Sequence, residues 1–251
     1  PRSTLDRSSA ASDVYKRQAK NAALPVIAAS ILSSNDVTLK NLPYLQDITT
    51  MFELLGSMGA EILLDENMNF TISSFALKDT EARYELVKTM RASILVLGPL
   101  IAKYGKARIA LPGGCAIGSR PVNYHLDALK QMGAKIELRN GYIEASAKEL
   151  LGANIRFEGI TVTGTENIMM AASLASGTTN IFNAATEPEV KNLGNFLRAM
   201  GADISGHGSN QIKIKGVSHL KGCTHKVSAD RIEAGTFMVA AAATRGQITM
   251  N

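Results

Sequence analysis

The chain has 251 residues, 45% of them hydrophobic and 20% charged, with a formal net charge of +5. This length buries a sizeable core, as one domain or as a domain plus part of another. A basic chain suits an anionic ligand, but with no Lys/Arg run of five or more and only 5% aromatic residues it offers no surface for tracking phosphates or stacking bases, so nucleic acid is excluded as a partner. Cys115 and Cys223 lie in unrelated contexts, and His125, His207, His219 and His225 are scattered, so no metal-ligand spacing is present. His125 reads as a packed or capping histidine rather than a base. No segment has the length of a transmembrane helix, and a reduced, cytoplasmic setting without a membrane partner follows.

In chain order, residues 1–18 come first. They are rich in Ser and Arg, carry no apolar periodicity and lack the apolar stretch of a signal peptide. They read as a disordered or foreign leader, with an amphipathic targeting helix as the alternative. A helix over 21–32 follows, apolar on nearly all sides and therefore expected to be buried. The next helix ends in Leu55-Gly56-Ser57-Met58-Gly59-Ala60. The same ending returns as Leu129-Lys130-Gln131-Met132-Gly133-Ala134 and as Leu197-Arg198-Ala199-Met200-Gly201-Ala202. The shared glycines lie 74 and 68 residues apart, and each is placed to supply the left-handed residue that closes a helix before an alternating strand such as Lys135-Ile136-Glu137-Leu138. The apolar helix type also returns, over 89–103, 166–176 and 234–244. It is followed by Gly105, Gly177 or Gly246 and a strand. The repeating unit is therefore buried helix, strand, amphipathic helix, strand, strand. Three units are complete and the fourth stops after its first helix and strand, so the chain is expected to be a fragment.

Between the strand over 107–111 and a helix over 121–132 lies Leu111-Pro112-Gly113-Gly114-Cys115-Ala116-Ile117-Gly118-Ser119-Arg120-Pro121. Ser119 is a candidate N-cap and Pro121 suits a first helical turn. A thiol beside a helix N-terminus and an arginine is lowered in pKa and stands where anions bind. By residue types alone, Cys115 is either such a reactive thiol or a small apolar residue in a tight turn.

These words resemble the active-site loop of the enolpyruvyl transferases that act on UDP-N-acetylglucosamine. Three further segments agree in order: Ala19-Lys20-Asn21-Ala22-Ala23-Leu24-Pro25, Val87-Lys88-Thr89-Met90-Arg91-Ala92-Ser93 and Asp230-Arg231-Ile232-Glu233-Ala234-Gly235-Thr236-Phe237. The resemblance implies an α/β fold, the inside-out α/β barrel of that family, built of βαβαββ-type repeats with helices buried and sheets outward. It implies a complete repeat domain over 19–229, the start of a second domain over 230–251, and as partner the missing second domain of the same chain. The implied activity is transfer of the enolpyruvyl group of phosphoenolpyruvate to the 3-hydroxyl of UDP-N-acetylglucosamine, the first committed step of peptidoglycan synthesis, with no metal or organic cofactor. The related 3-phosphoshikimate enolpyruvyl transferases share the repeat but lack the Gly-Gly-Cys loop. A non-catalytic domain binding nucleotide sugars is the alternative of another class.

Residue roles follow from the resemblance, each beside a plain structural one. Cys115 acts on phosphoenolpyruvate as general acid or covalent partner, and is the target of the epoxide fosfomycin. Lys20 binds phosphoenolpyruvate and Asn21 the sugar. Otherwise they are a helix-start cation and cap, although lysine there opposes the helix dipole. Arg91 sits among Met90, Ile94, Leu95 and Leu97, where an unpaired guanidinium is costly, and serves the substrate site. Arg120, Pro121, Val122, Asn123 and Tyr124 line the uridine and diphosphate pocket, with Asn123 and Tyr124 departing from the acidic and aliphatic residues common there. Ile160, Thr161, Val162 and Thr163 make a further uridine-diphosphate contact, or are an ordinary strand and turn. Asp230 and Arg231 open the fourth buried helix and face the cleft, or are an N-cap beside a surface arginine. Glu187 and Glu189 flank Pro188 and resemble the family's acidic pair near the interdomain hinge, but read rather as ordinary solvated acids.

Overall fold

The computed structural model describes residues 13–14, 18–74, 77–111 and 122–250. Strand β1 (Asp13–Val14) precedes helix α1 (Lys20–Ala29), whose last turn tightens to a 3-10 turn over Ser30–Leu32. Strand β2 (Val37–Lys40), helix α2 (Gln46–Ser57) and strands β3 (Glu61–Leu64) and β4 (Phe70–Ser73) complete the first unit. The second holds β5 (Glu81–Ala82), the short α3 (Tyr84–Val87), a 3-10 helix over Arg91–Val96, α4 (Leu97–Tyr104), β6 (Lys106–Ala110), α5 (Asn123–Gln131), β7 (Lys135–Arg139) and β8 (Tyr142–Ser146). The third holds β9 (Asn154–Arg156), α6 (Val162–Ala172), β10 (Thr178–Phe182), α7 (Pro188–Ala199), β11 (Asp203–Ser205) and β12 (Gln211–Lys215). After it come β13 (Thr224–Lys226), α8 (Arg231–Thr244) and β14 (Thr249–Met250).

Three four-stranded sheets share one pattern, β13-β2-β4-β3, β5-β6-β8-β7 and β9-β10-β12-β11, and these stand as separate sheets rather than one closed barrel. The first pair of each is parallel and the rest antiparallel. Parallel neighbours need a crossover, and α4 and α6 provide it for β5–β6 and β9–β10. In the first sheet the crossover is exchanged. The strand before α1 pairs with β14, which follows α8, while β13, which precedes α8, pairs with β2, which follows α1. Gln18 also bridges Ala229. Asp13, Val14 and Gln18, assigned to the leader by sequence, are therefore paired with the rest of the chain.

The sheets turn one face inward. In β12, Ile212 and Ile214 are buried while Gln211, Lys213 and Lys215 are exposed, the alternation of a sheet with one wet face. Inside lie α1 and α6, buried along nearly their whole length, and most of α4. The amphipathic helices α2, α5 and α7 bury one stripe each; in α7 it is Val190, Leu193, Phe196 and Leu197. Phe196 is fully buried, and that burial alone contributes about 1.5–3 kcal/mol. Gly59, Gly133 and Gly201 have φ of +105°, +93° and +104°, as their repeated position after a helix requires.

One expectation needs correction. The apolar helix expected over 89–103 is a 3-10 helix starting at Arg91 and an α-helix starting at Leu97. Pro99 has no N–H for the Leu95 carbonyl and its ring crowds that carbonyl, which favours an α-helix that begins with proline in its first turn. Arg91 is therefore the half-buried first residue of a helix, not an interior one. The left-handed residue at the end of α8 is Arg245 (φ +52°), directly before Gly246. Helix α8 matches the buried helices in composition, and none of its residues is buried; Ile232, Met238 and Val239 are more than half exposed. Among the described residues no element packs along it.

Candidate functional site

The N-terminal turns of α1, α2, α5, α6, α7 and α8 meet at one end of the domain. Lys20 opens α1, and its Nζ lies 2.8 Å from Oδ2 of Asp47 in the first turn of α2. This ion pair offsets the unfavourable meeting of a cation with a helix N-terminus. The Ala19 amide donates to the Ser228 carbonyl at 3.1 Å, which brings the start of α1 beside the start of α8. Asn21 is exposed there, and Pro25 lacks the N–H that the Asn21 carbonyl would accept within a helix.

Asp230 caps α8, its Oδ1 accepting from the amides of Ile232 at 2.8 Å and Glu233 at 3.2 Å. Arg231 reaches across to α7, where Nε donates to the Glu189 carboxylate at 3.0 Å. Its Nη2 adds a longer bond of 3.3 Å. Glu189 is 5% exposed, so it is a buried partner of Arg231 and not a solvated acid. Glu166, in the second turn of α6, is fully buried and its Oε1 has no hydrogen-bond partner among the described residues. Burial, and then the nearby charges of Glu189 and Glu187, push its carboxyl well above the usual range.

A second group adjoins the first through α6. Val122 precedes α5, and Asn123 and Tyr124 form its first turn. The Tyr124 ring meets Phe157 edge-on at 6.3 Å, and its hydroxyl occupies the space a side chain on Gly159 would need. Ile160, 69% exposed, leads into Thr161, which is the N-cap of α6 and accepts from the Gly164 amide at 3.1 Å. Val162 and Thr163 form the first helical turn, so this segment is a capped helix start and not a strand and turn. His125 is buried 3.3 Å from the Thr163 hydroxyl, its pKa pushed down to about 4 by burial first and by nearby Arg91 second.

The structure thus brings Lys20, Asn21, Asp230 and Arg231 into one group, and Arg91, Val122, Asn123, Tyr124, Ile160, Thr161, Val162 and Thr163 into another beside it. Cys115, Ser119, Arg120 and Pro121 lie outside the described residues. Sequence reading missed Asp47, Glu166 and Asn167, and took the buried Glu189 for a solvated acid. For Glu166 and Asn167 a signal existed, two polar residues directly before the apolar run Ile168-Met169-Met170-Ala171-Ala172 of the same helix. Several helix N-termini with cations among them attract an anion. Among the described residues, no group of three or more His, Cys, Asp and Glu could hold a metal ion, and no helix is long and apolar enough to cross a membrane.

Repeated βαβαββ units with helices inside and sheets outside define the enolpyruvyl transferase fold. Solved structures agree: the chain matches the enolpyruvyl transferase NikO from Streptomyces tendae with a TM-score of 0.80 at 22% identity, over 92% of this chain and 55% of that one. It matches EPSP synthase from Acinetobacter baumannii with a TM-score of 0.73 at 20% identity, over 92% and 53%. Within that class, residues 14–251 match the model of EPSP synthase (3-phosphoshikimate 1-carboxyvinyltransferase), and the chain belongs to that family. Among curated relatives, the UDP-N-acetylglucosamine 1-carboxyvinyltransferase of Halorhodospira halophila is 55% identical over 95% of this chain and 57% of its own length. Proteins of the same name from Magnetococcus marinus and Coxiella burnetii are each 56% identical over 92% of this chain, and over 55% and 53% of their own lengths. The chain spans about half the length of the curated relatives it matches.

Proposed function

We propose that the chain forms one wall of a cytoplasmic active site that transfers the enolpyruvyl group of phosphoenolpyruvate to the 3-hydroxyl of UDP-N-acetylglucosamine, releasing phosphate for the first committed step of peptidoglycan synthesis. The observation that carries this reading is the gathering of helix N-termini with Lys20, Arg91 and Arg231 at one end of the domain. The identity of 55–56% to relatives named for that activity supports this reaction. In the addition step, the sugar oxygen bonds to C2 of phosphoenolpyruvate as C3 takes a proton, and the hydroxyl proton leaves to a base. In the elimination step, C3 loses a proton, the double bond re-forms and phosphate departs. Cys115 is assigned to the phosphoenolpyruvate carbon as acid or covalent partner, and Lys20 and Arg120 to its carboxylate and phosphate. Arg91, with the residues from Arg120 to Tyr124 and from Ile160 to Thr163, is assigned to the sugar nucleotide, and Asp230 and Arg231 to the cleft edge. Among the described residues Asp47 holds the Lys20 ammonium in place, and Glu189 does the same for Arg231.

Calorimetric titration of the chain with UDP-N-acetylglucosamine and, separately, with shikimate 3-phosphate tests the reading. Binding of the sugar nucleotide alone is expected. Binding of shikimate 3-phosphate alone would reassign the substrate.

A further inference from the structure

Asn167 lies in the middle of buried α6 with no exposure. Its Oδ1 accepts from the Gly98 amide at 2.7 Å, and Nδ2 donates to the Ile94 carbonyl at 2.9 Å. An amide side chain has one acceptor end and one donor end, so the Gly98 N–H fixes which is which. The atom 2.9 Å from His125 Nδ1 is therefore the donor Nδ2, and Nδ1 must accept. Burial keeps this imidazole neutral, and a neutral ring that accepts at Nδ1 carries its hydrogen on Nε2. That Nε2–H points at the Thr163 hydroxyl 3.3 Å away, which must accept. The hydrogen of Thr163 itself is then not taken by the histidine, and among the described residues the hydroxyl has no other partner. Thr163 is exposed, in the first turn of α6.

We propose that Asn167 and His125 are positioning residues that turn the Thr163 hydroxyl hydrogen outward, as a donor to an oxygen of the bound sugar nucleotide. The direction runs from the Gly98 amide through Asn167 and His125 to Thr163. It ties the 91–98 segment, the first turn of α5 and the first turn of α6 to one arrangement before ligand arrives. The ligand half of this inference rests on the proposed function, whereas the hydrogen-bond direction does not.

Two measurements on the 251-residue chain separate those halves. Long-range 1H–15N NMR at pH 7 reads the His125 tautomer without ligand. The Nε2–H form is expected, and the Nδ1–H form or an imidazolium would overturn the relay. Calorimetry with UDP-N-acetylglucosamine then compares variants. Thr163→Val should weaken binding about tenfold, the size expected for one hydrogen bond. Thr163→Ser should restore most of it. His125→Phe should weaken binding about as much as Thr163→Val, with the double variant no weaker than either single one. Unchanged affinity in Thr163→Val, or additive losses in the double variant, would overturn the inference, and since Thr163 is exposed its substitutions do not threaten the core. If the unsubstituted chain shows the Nε2–H tautomer but does not bind the sugar nucleotide, the functional reading fails and the relay stands as internal structure alone.

Discussion

Removing Arg231 and removing the charge of Glu189 should have unequal consequences for stability. Glu189 has a side chain 6% exposed, and Arg231 one 48% exposed. Arg231→Met leaves an ionised carboxylate buried near Glu187 and Glu166 with its cation gone. Breaking a fully buried pair from one side costs about 3–5 kcal/mol, and the half-exposed arginine reduces this to about 1–3 kcal/mol. Glu189→Gln removes the buried charge instead and leaves a cation that water already reaches, so its cost should stay below about 1 kcal/mol. Arg231→Met combined with Glu189→Gln should recover most of the loss. Urea unfolding at pH 7, with midpoints and slopes fitted for all four proteins, gives the comparison. Equal destabilisation by the two single variants, or a larger effect of Glu189→Gln, would refute the argument that the buried carboxylate is the costly partner.

Three further outcomes are expected. For Glu166, a folded pKa above 4.5 means the folded state keeps a proton that the unfolded chain releases, so stability falls as pH rises from about 4.5 toward neutrality. Glu166→Gln should therefore gain on the unsubstituted protein across that range, and a constant difference in urea midpoint would contradict it. A Cβ on Gly98 would stand 2.2 Å from Asn167 Oδ1 and 2.5 Å from its carbonyl, so Gly98→Ala should destabilise by about 1–3 kcal/mol, whereas Gly235→Ala, in open space, should gain about 0.5–1 kcal/mol; thermal unfolding that ranks them the other way would be contrary. Burial pushes the Cys223 thiol up, so iodoacetamide at neutral pH, and fosfomycin, should label Cys115 first, and peptide mapping that finds Cys223 first would sink the assignment.

The repeat was legible because its signals are local. A left-handed glycine after each amphipathic helix and an alternating strand behind it mark units that need no distant information, as Gly133 and 135–138 show. The N-cap role of Asp230 and the burial of α1 were legible for the same reason. Pairings set by remote chain were not. Nothing near Thr38 announces Thr224 as its partner, and nothing near Glu187-Pro188-Glu189 announces that α6 will pack beside it and that Arg231 will reach the Glu189 carboxylate. The break before Leu97 could have been read from Pro99, had its missing N–H been weighed against the apolar run. At the site, Lys20, Arg91 and Arg231 were found through resemblance. Asp47, the partner of Lys20, and the buried neighbours Asn167 and Glu166 come from other elements of the fold.

The central claim is that a sugar nucleotide binds where the helix N-termini meet. Backbone amide NMR of the isotope-labelled chain titrated with UDP-N-acetylglucosamine tests it most directly. The account predicts that the largest shift changes fall on Arg91, on 122–125 and on 160–164, with smaller ones at Lys20 and Asn21. Changes confined to the outward sheet faces, such as β7, β11 and β12, with those segments silent, would contradict it.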